Sequence, residues 1–404
     1  MPHFVYLCGI IAENMTILRL FAFSLVCVFA FGSAISAEIG ILVGKKATTG
    51  DCTELAFTEK DTPGNCFYHT NVYGLTILEF QKVMPGKYVS PENDAEEIAC
   101  RLLDSAKSCR EAILSLSDML SDISVPSVYV TLMLADVKEA WIVEYAGKKD
   151  GSGAVWVALR LPDNAVCIYA GSPLIHSLPQ KDFRNAIFSP EVISYARKNR
   201  LFAGKDENFD FSKTYCPISC SENCDTDNLY AILGVTVESE SAWRIPSRYV
   251  SLYDIRKALR NSKIENVKLS AIAEASKDRM NLMQSLIYYA PGNPQISAFI
   301  PLFRNVKKMP AGFDVNSSES LVYLLEDVED KVRGGQISEK DLKSLQIALE
   351  DSISVDVDVV LEQVPEFDDE EIAAEILQDL ADIWAQKVRE SYMSLMQGFM
   401  RKEE

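Results

Sequence analysis

Cysteine is the residue type in this sequence with the widest chemistry, because a thiol can attack a carbonyl, bind a metal or form a disulfide. The chain has 404 residues and 10 cysteines. Three of them follow the spacing Cys216-x3-Cys220-x3-Cys224, which lacks the second ligand pair and the nearby histidine of a structural zinc site. We therefore expect at least two disulfides, centred on this cluster, and neither a metal nor a cofactor.

The N-terminal segment indicates the compartment. Residues 20–31 read LFAFSLVCVFAF, an apolar run that is shorter than the roughly 20 residues of a membrane-spanning helix. Arg19 precedes the run, and small residues ending in Ala37 follow it. Residues 1–37 therefore have the pattern of a secretory signal peptide that is cut after Ala37. An uncleaved anchor is the alternative. We expect a cleaved product in a secreted or lysosome-like endomembrane compartment, without stable membrane insertion.

Composition and charge limit the partners. Hydrophobic residues make up 48% of the chain and charged residues 24%, as in an ordinary globular protein. There are 40 Lys and Arg against 58 Asp and Glu, which gives a net charge of -18. A surface this acidic repels a phosphate backbone, so we expect no nucleic-acid partner.

The spacing of apolar residues predicts the strands and helices that must position any functional site. Alternating or β-branched runs, separated by turns rich in Gly, Pro and Asn, predict strands, and apolar residues at helical spacing predict helices around them. The predicted strands lie at 38–46, 52–60, 73–80, 127–135, 140–145, 154–159, 165–170, 286–289 and 295–301. A helix is predicted from Pro91, and the chain beyond Ser317 is mostly helical and acidic. This pattern favours a layered α+β fold.

Six stretches, in sequence order, can be compared with known families. The first is ILVGKKATTGDCTELAFTEKD, at 41–61. The others are NVYGLTI, KEAWIVEYAG, VWVALRLPDNAVCIYAG, FSPEVISYARKNRLF with NFDFSKTY, and YYAPGNPQISAFIPLF with FDVNSS. Together they resemble the cysteine dipeptidases of the dipeptidase A and secernin group, which are N-terminal-nucleophile hydrolases. The resemblance implies a four-layer αββα sandwich over residues 38–335, with an acidic helical C-terminal region at 336–404.

In that family the first mature residue is a cysteine, whose α-amine takes the thiol proton before the thiolate attacks the amide carbonyl. The same register places Glu38 at the cysteine position. The family's arginine falls on Phe57, its acid on Lys60, and its asparagine after the IYA strand on Gly171. Only Asn71 is retained, and it is either a site residue or a structural turn residue.

The resemblance therefore implies a dipeptidase ancestry and a degenerate catalytic site. A carboxylate is a weak nucleophile towards amides, and catalytic residues that act as a unit lose most of their rate together. We expect a secreted family member with impaired hydrolysis. An active amide hydrolase with an unusual nucleophile is the alternative. A luminal subunit that binds peptides, a second copy of itself or an active relative is the third reading.

Overall fold

The structure is a computed structural model, and it describes residues 37–59, 70–83, 94–122, 128–216, 225–236, 241–279, 283–304, 308–313, 320–363 and 369–403. The strands in these ranges are β1 (Ala37–Val43), β2 (Thr53–Glu59), β3 (Thr76–Val83), β4 (Val128–Ala135), β5 (Ala140–Gly147), β6 (Ala154–Arg160), β7 (Val166–Tyr169), β8 (Ala186–Phe188), β9 (Leu269–Ala275), β10 (Ser285–Pro291) and β11 (Ile300–Phe303). The helices are α1 (Asp94–Ser105), α2 (Cys109–Asp122), α3 (Val192–Lys198), α4 (Phe211–Tyr215), α5 (Thr226–Ile232), α6 (Leu252–Asn261), α7 (Leu321–Arg333), α8 (Glu339–Gln363) and α9 (Glu370–Glu403).

The strands form two antiparallel sheets. One has six strands in the order β11-β10-β9-β2-β1-β7, and the other has five in the order β3-β4-β5-β6-β8. Short turns join β4, β5 and β6 into a meander, as the sequence predicts. β7 follows β6 closely in sequence but pairs with β1 in the other sheet. The chain therefore crosses between the sheets after β6.

The two sheets stack face to face, with β1 and β2 over β3 and β4. Gly40 shows how closely they approach. A Cβ at this position would lie 2.5 Å from Cζ of Phe80 and 2.8 Å from Sδ of Met133, both on the facing sheet. Glycine therefore allows contact between the sheets at this point, and β1 turns the face that carries residue 40 towards the centre of the molecule.

Helices cover the outer faces of the sheets. α1 and α2 bury Ile98, Leu102, Ala112 and Leu116 against the five-stranded sheet in a separate apolar cluster. α6 packs on β2, and α8 and α9 pack on β11 of the six-stranded sheet. The structure is a mixed α+β fold of two antiparallel sheets and surrounding helices, and this part of the sequence prediction is confirmed.

The C-terminal helices share the main apolar core. Trp384 of α9 lies with its ring centroid 6.5 Å from that of Phe303 on β11, and the hydroxyl of Tyr392 donates to the carbonyl of Ile296. Glu350 of α8 accepts hydrogen bonds from Arg260 of α6 at 2.5 and 3.3 Å. These contacts join the predicted acidic region 336–404 to the body, and the boundary at residue 335 stays a prediction.

Candidate functional site

The strand register brings to one corner three positions that the resemblance assigns to family catalytic residues: Glu38, Phe57 and Gly171. We call it the substituted corner. Gly40 lies opposite Phe57 of β2 and opposite Tyr169 of β7. Because both pairings are antiparallel, moving back along β1 to Glu38 corresponds to moving forward from Tyr169 to Gly171. The backbone of Glu38 lies at a register shift between Ala37 and Ile39. Its side chain, and all of Lys60, lie outside the described residues.

Phe57 is buried, with 1% of its surface exposed. It is directly opposite Gly40, and residues in direct cross-strand pairs project from the same face of a sheet. Phe57 therefore lies on the face that meets the second sheet. Its phenyl ring offers no hydrogen-bond donor, so this position cannot orient an amine or bind an oxyanion.

Gly171 is also buried, and its φ of 92° is one that residues with a side chain rarely adopt. The chain after it, residues 172–176, is held by Glu144 of β5. Oε1 of Glu144 accepts from the Leu174 amide at 2.6 Å, and Oε2 accepts from the Ile175 amide at 3.0 Å. Glu144 therefore sets the path of the segment that begins at the substituted corner.

Two hydroxyl groups complete the environment of Glu144. The hydroxyl of Tyr129 donates to Oε2 at 2.5 Å, and Oγ1 of Thr131 donates to Oε1 at 3.1 Å. Burial raises the pKa of Glu144 above its usual value, while these bonds and the two backbone bonds oppose the rise. Glu144 lies in the family-like stretch KEAWIVEYAG, and the sequence analysis assigned it no role.

Asn71 does not belong to the substituted corner. Its Nδ2 donates to the carbonyls of Leu103 and Ala106 at 2.8 and 2.7 Å, and its Oδ1 accepts from the amides of Tyr73 and Leu75. These bonds tie the turn before β3 to the end of α1. The structural alternative for Asn71 therefore accounts for its whole hydrogen-bonding capacity.

A second group of reactive side chains lies at the opposite end of β2, about 17 Å from Glu59 at the strand rise of an extended chain. Sγ of Cys52 and one carboxylate oxygen each of Glu54 and Glu274 lie within 4.8 Å of one another, and all three residues are buried. We call this group the acid–thiol cluster. The sequence analysis missed it, because Glu54 lies in a strand that is buried on both faces, and β9 was not predicted.

The environment of the acid–thiol cluster disfavours the ionised forms of Cys52 and Glu54. Glu54 and Glu274 are directly opposite each other on β2 and β9. Burial and then Glu274 raise the pKa of Glu54 well above its usual value, and burial and both carboxylates raise the pKa of the Cys52 thiol. Arg279 forms a hydrogen-bonded ion pair with Glu274. A thiol held neutral in this way is a poor nucleophile.

A cavity of about 300 Å³ lies beside the substituted-corner end of the six-stranded sheet. The amide of Lys268 donates to the carbonyl of Glu59, which pairs with Ala37, and the amide of Gly292 donates to the carbonyl of Lys268. Lys268 and Gly292 both line the cavity. Its other lining residues are Asn266, Asn293, Val267, Ile296, Val322, Leu325, Glu326, Glu329, Asp330 and Arg333.

The disulfide prediction gains no support from the part of the chain described. No disulfide is present within the described ranges, and Cys52, Cys109 and Cys167 carry buried free thiols. Cys66, Cys220 and Cys224 lie outside those ranges, as does the predicted signal peptide up to residue 36. Among the helices that are described, none has the length and apolar character needed to cross a membrane.

Comparison with known proteins gives one family and several relatives. Peptidase family C69 matches residues 76–230, less than half of the chain. A "Probable dipeptidase" of Salmonella dublin is 22% identical over 265 residues, which are 56% of this chain and 59% of that protein. A "Probable dipeptidase B" of Streptococcus pyogenes serotype M3 is 25% identical over 137 residues, 34% of this chain and 26% of that protein.

The chain thus spans about three fifths of the Salmonella protein and about a quarter of the Streptococcus protein. The family match begins at β3 and ends in α5, so it includes Glu144 and Gly171 but not Glu38 or Phe57. Together with the mixed α+β fold, these matches support a relationship between this chain and the dipeptidases of Peptidase family C69.

Proposed function

We propose that this chain is a secreted or luminal relative of the cysteine dipeptidases that has lost thiol-dependent hydrolysis and binds small peptides. The proposed fold is the four-layer αββα sandwich of the N-terminal-nucleophile hydrolases. The observation that carries the proposal is the register of β1, β2 and β7, which assembles Glu38, Phe57 and Gly171 at one corner. The three substitutions therefore affect one place rather than three unrelated places.

The chemistry at this corner differs from that of a thiol peptidase in each part. With cleavage after Ala37, the first residue is Glu38, whose carboxylate would form an anhydride as its acyl product. Phe57 cannot orient the α-amine, and Gly171 has no side-chain donor for an oxyanion. Because these groups act as a unit, we expect dipeptide hydrolysis at background rate.

The cavity beside the corner supports the binding function. Its apolar lining is formed by Val267, Ile296, Val322 and Leu325, and charges of both signs surround it. Lys268 lies 3.6 Å from Glu326, and Arg333 lies 3.2 Å from Glu329, so these charges are already paired at the surface. An unblocked dipeptide is a zwitterion that can replace such pairs, with its carboxylate on a cation and its ammonium on an acid.

Hydrolysis is tested on the secreted protein, after N-terminal sequencing of the same sample. We expect a mature terminus at Glu38 and no release of amino acids from unblocked dipeptides above background. Robust hydrolysis that Glu38→Ala abolishes would establish the alternative, an active amide hydrolase with an unusual nucleophile. A terminus at a cysteine would also overturn the proposal, because it would supply the missing thiol.

Restoring the family residues is the complementary experiment. Glu38→Cys alone should recover little, whereas Glu38→Cys with Phe57→Arg, Lys60→Asp and Gly171→Asn should give measurable turnover. Two of these changes have structural costs, since Phe57 is buried and Gly171 has a φ of 92°. Circular dichroism must therefore show that the fourfold variant is folded. A folded variant without turnover would contradict the assignment of the corner.

Peptide binding is tested by calorimetry with an unblocked dipeptide and with its acetylated and amidated forms. We expect blocking either end to weaken binding, and we expect Lys268→Met and Glu329→Gln to weaken binding of the unblocked form. Lys343→Met is the matched control, because it removes an exposed ion pair with Glu339 on α8. Equal binding by all three variants would exclude this cavity, and no binding by the wild type would reject the binding function.

A further inference from the structure

The acid–thiol cluster combines ligand types and positions that a divalent metal can use. Cysteine thiolate and carboxylate oxygen are both protein ligands of zinc, a borderline-soft ion that usually takes four ligands. Cys52 is only 3.8 Å from Oε1 of Glu54, and the three ligand atoms lie within 4.8 Å of one another. Small side-chain movements would bring them to one ion, with a fourth position left for water.

An unsatisfied polar atom supplies a second observation. Oε2 of Glu54 is buried and has no hydrogen-bond partner, and Glu54 as a residue is 2% exposed. Such a buried and unpaired atom destabilises the folded state when nothing binds it. Arg279 bonds to Glu274 and not to Glu54, and the buried Arg256 lies 3.7 Å from Glu350. Glu54 therefore has the capacity to bind a cation.

The charges balance when an ion is added. Two carboxylates and a thiolate carry three negative charges, and a divalent ion with Arg279 carries three positive charges. Arg279 bonds to Oε1 of Glu274, which leaves Oε2 of the same carboxylate for the ion. It would thus act as the outer group that orients a ligand, as such groups do in metal sites.

The cluster lies close to exposed turns of the chain. Cys52 follows the exposed turn at Thr49, Gly50 and Asp51, and Glu274 lies a few residues before the exposed Lys277 and Asp278. Asp51 has a φ of 49°, a conformation uncommon outside glycine. Two of the three ligands, Cys52 and Glu274, are therefore buried within a few residues of surface turns.

We propose that Cys52, Glu54 and Glu274 form a binding site for a divalent metal of the zinc type. The site is separate from the substituted corner, at the other end of β2, and does not depend on the peptide-binding proposal. It contradicts the sequence expectation that the protein binds no metal. Hard ions such as Mg²⁺ are not the expected occupant, since they prefer oxygen ligands alone.

The test uses the full secreted chain, freed of metal by a chelator and titrated with Zn²⁺ by calorimetry and with Cd²⁺ by near-ultraviolet absorption. We expect Zn²⁺ to bind and Cd²⁺ to give a cadmium–thiolate absorption band. Cys52→Ser should remove that band, and Glu54→Gln should weaken Zn²⁺ binding by at least about tenfold, the lower end of the effect of outer-group mutations. Cys109→Ser, which removes another buried thiol, should leave both signals unchanged.

Glu54→Gln conserves shape and removes a strained charge, so it keeps the proposal testable if Cys52→Ser fails to fold. The absence of Zn²⁺ binding by the folded wild type would overturn the proposal. Equal Zn²⁺ affinity of wild type and Glu54→Gln would also overturn it, as would a cadmium–thiolate band of equal strength in folded Cys52→Ser. In the last two cases the metal would be bound at a site other than the proposed one.

Discussion

Glu144 is the buried side chain for which the structure gives the most specific prediction of how a substitution changes stability. Its two oxygens accept four hydrogen bonds: from the Leu174 and Ile175 amides, the hydroxyl of Tyr129 and the hydroxyl of Thr131. Glu144→Gln keeps the shape of the side chain but replaces one acceptor oxygen with an NH2 group. The hydroxyls can rotate, whereas the two amides cannot, and one amide points at each oxygen. One backbone donor must therefore face another donor.

The magnitude follows from that single conflict. A neutral hydrogen bond contributes about 0.5–1.5 kcal/mol, and an unsatisfied buried donor costs about 1–3 kcal/mol. We expect Glu144→Gln to lower the free energy of unfolding by about 3 kcal/mol at pH 4. The segment at residues 172–176 should loosen as well, because two of its amides lose their common acceptor.

The pH dependence gives a second measurement. Burial raises the pKa of Glu144 in the folded state above its usual value of 4.5, so the folded state binds more protons than the unfolded state at intermediate pH. The contribution of Glu144 to stability is therefore fully present below about pH 4.5 and is lost as the pH rises through the folded pKa. The cost of Glu144→Gln should be largest in acid and should shrink towards neutral pH.

The assay is urea unfolding followed by circular dichroism, for wild type and variant between pH 4 and 8. Glu139→Gln is the matched control, because Glu139 forms partly exposed ion pairs with Arg110 and Arg160, which should contribute about 1 kcal/mol or less. Equal effects of the two substitutions would refute the argument from donors. A cost that grows with pH would show that the hydrogen bonds outweigh burial and lower the folded pKa.

Three further predictions concern stability, each measured by the same unfolding assay. Gly40→Ala should cost about 1–3 kcal/mol, because its Cβ would overlap Phe80 and Met133, whereas Gly398→Ala, in open space on α9, should stabilise by about 0.5–1 kcal/mol. Asn71→Ala should cost about 2–3 kcal/mol through its lost hydrogen bonds and leave dipeptide binding unchanged; weakened binding would place it in the site. Glu350→Gln should cost about 3 kcal/mol or more, because Arg256 and Arg260 would lose their buried partner, and a loss below 1 kcal/mol would contradict that pairing.

Sequence periodicity predicts the positions of most strands, but it does not predict which strands pair with each other. The alternation in TELAFTE predicts β2, and the structure has a strand there, yet all seven of its residues are buried. Alternation predicts a half-exposed strand with Glu54 facing solvent. The sequence pattern therefore gives no sign of the buried acid–thiol cluster. β9, with the sequence LSAIAEA, has few large apolar residues, yet it is central in the six-stranded sheet. Its burial depends on pairing with the neighbouring β10 and with β2, which lies far away in sequence.

The sequence patterns predict helices where the structure has them, but the observed helices differ in their boundaries and in which residues they bury. The single helix predicted from Pro91 is two helices in the described region, separated at residues 106–108. The last helix packs on the body, but two of its large apolar residues, Ile372 and Ile383, are about half exposed. Its buried face instead includes small residues, Ala373 and Ala381. Alanine carries little hydrophobic signal, although close helix packing favours it.

The candidate site shows the same division between local and long-range information. A family-like register along the chain selected Glu38, Phe57 and Gly171, and the antiparallel pairing brings these positions together. Asn71 was selected by the same register, but it accepts from the amide of Gly74, where a Cβ would lie 3.9 Å from that of Ala275, the partner of Thr53 at the other end of β2. No local pattern distinguishes a turn asparagine from a catalytic one, because both expose an amide before a strand.

The three substitutions at the corner are physically consistent with one another. Phe57 shares the inward face of its sheet with Gly40, and a guanidinium at this position would be costly unless an anion or a substrate compensated it. In a thiol peptidase that cost is balanced by catalysis. On our proposal, a chain without a cysteine at residue 38 has no use for an oriented amine, and the buried phenyl ring of Phe57 instead packs in the layer between the sheets. The proposed loss of the thiol would thus remove the reason to keep an arginine at position 57.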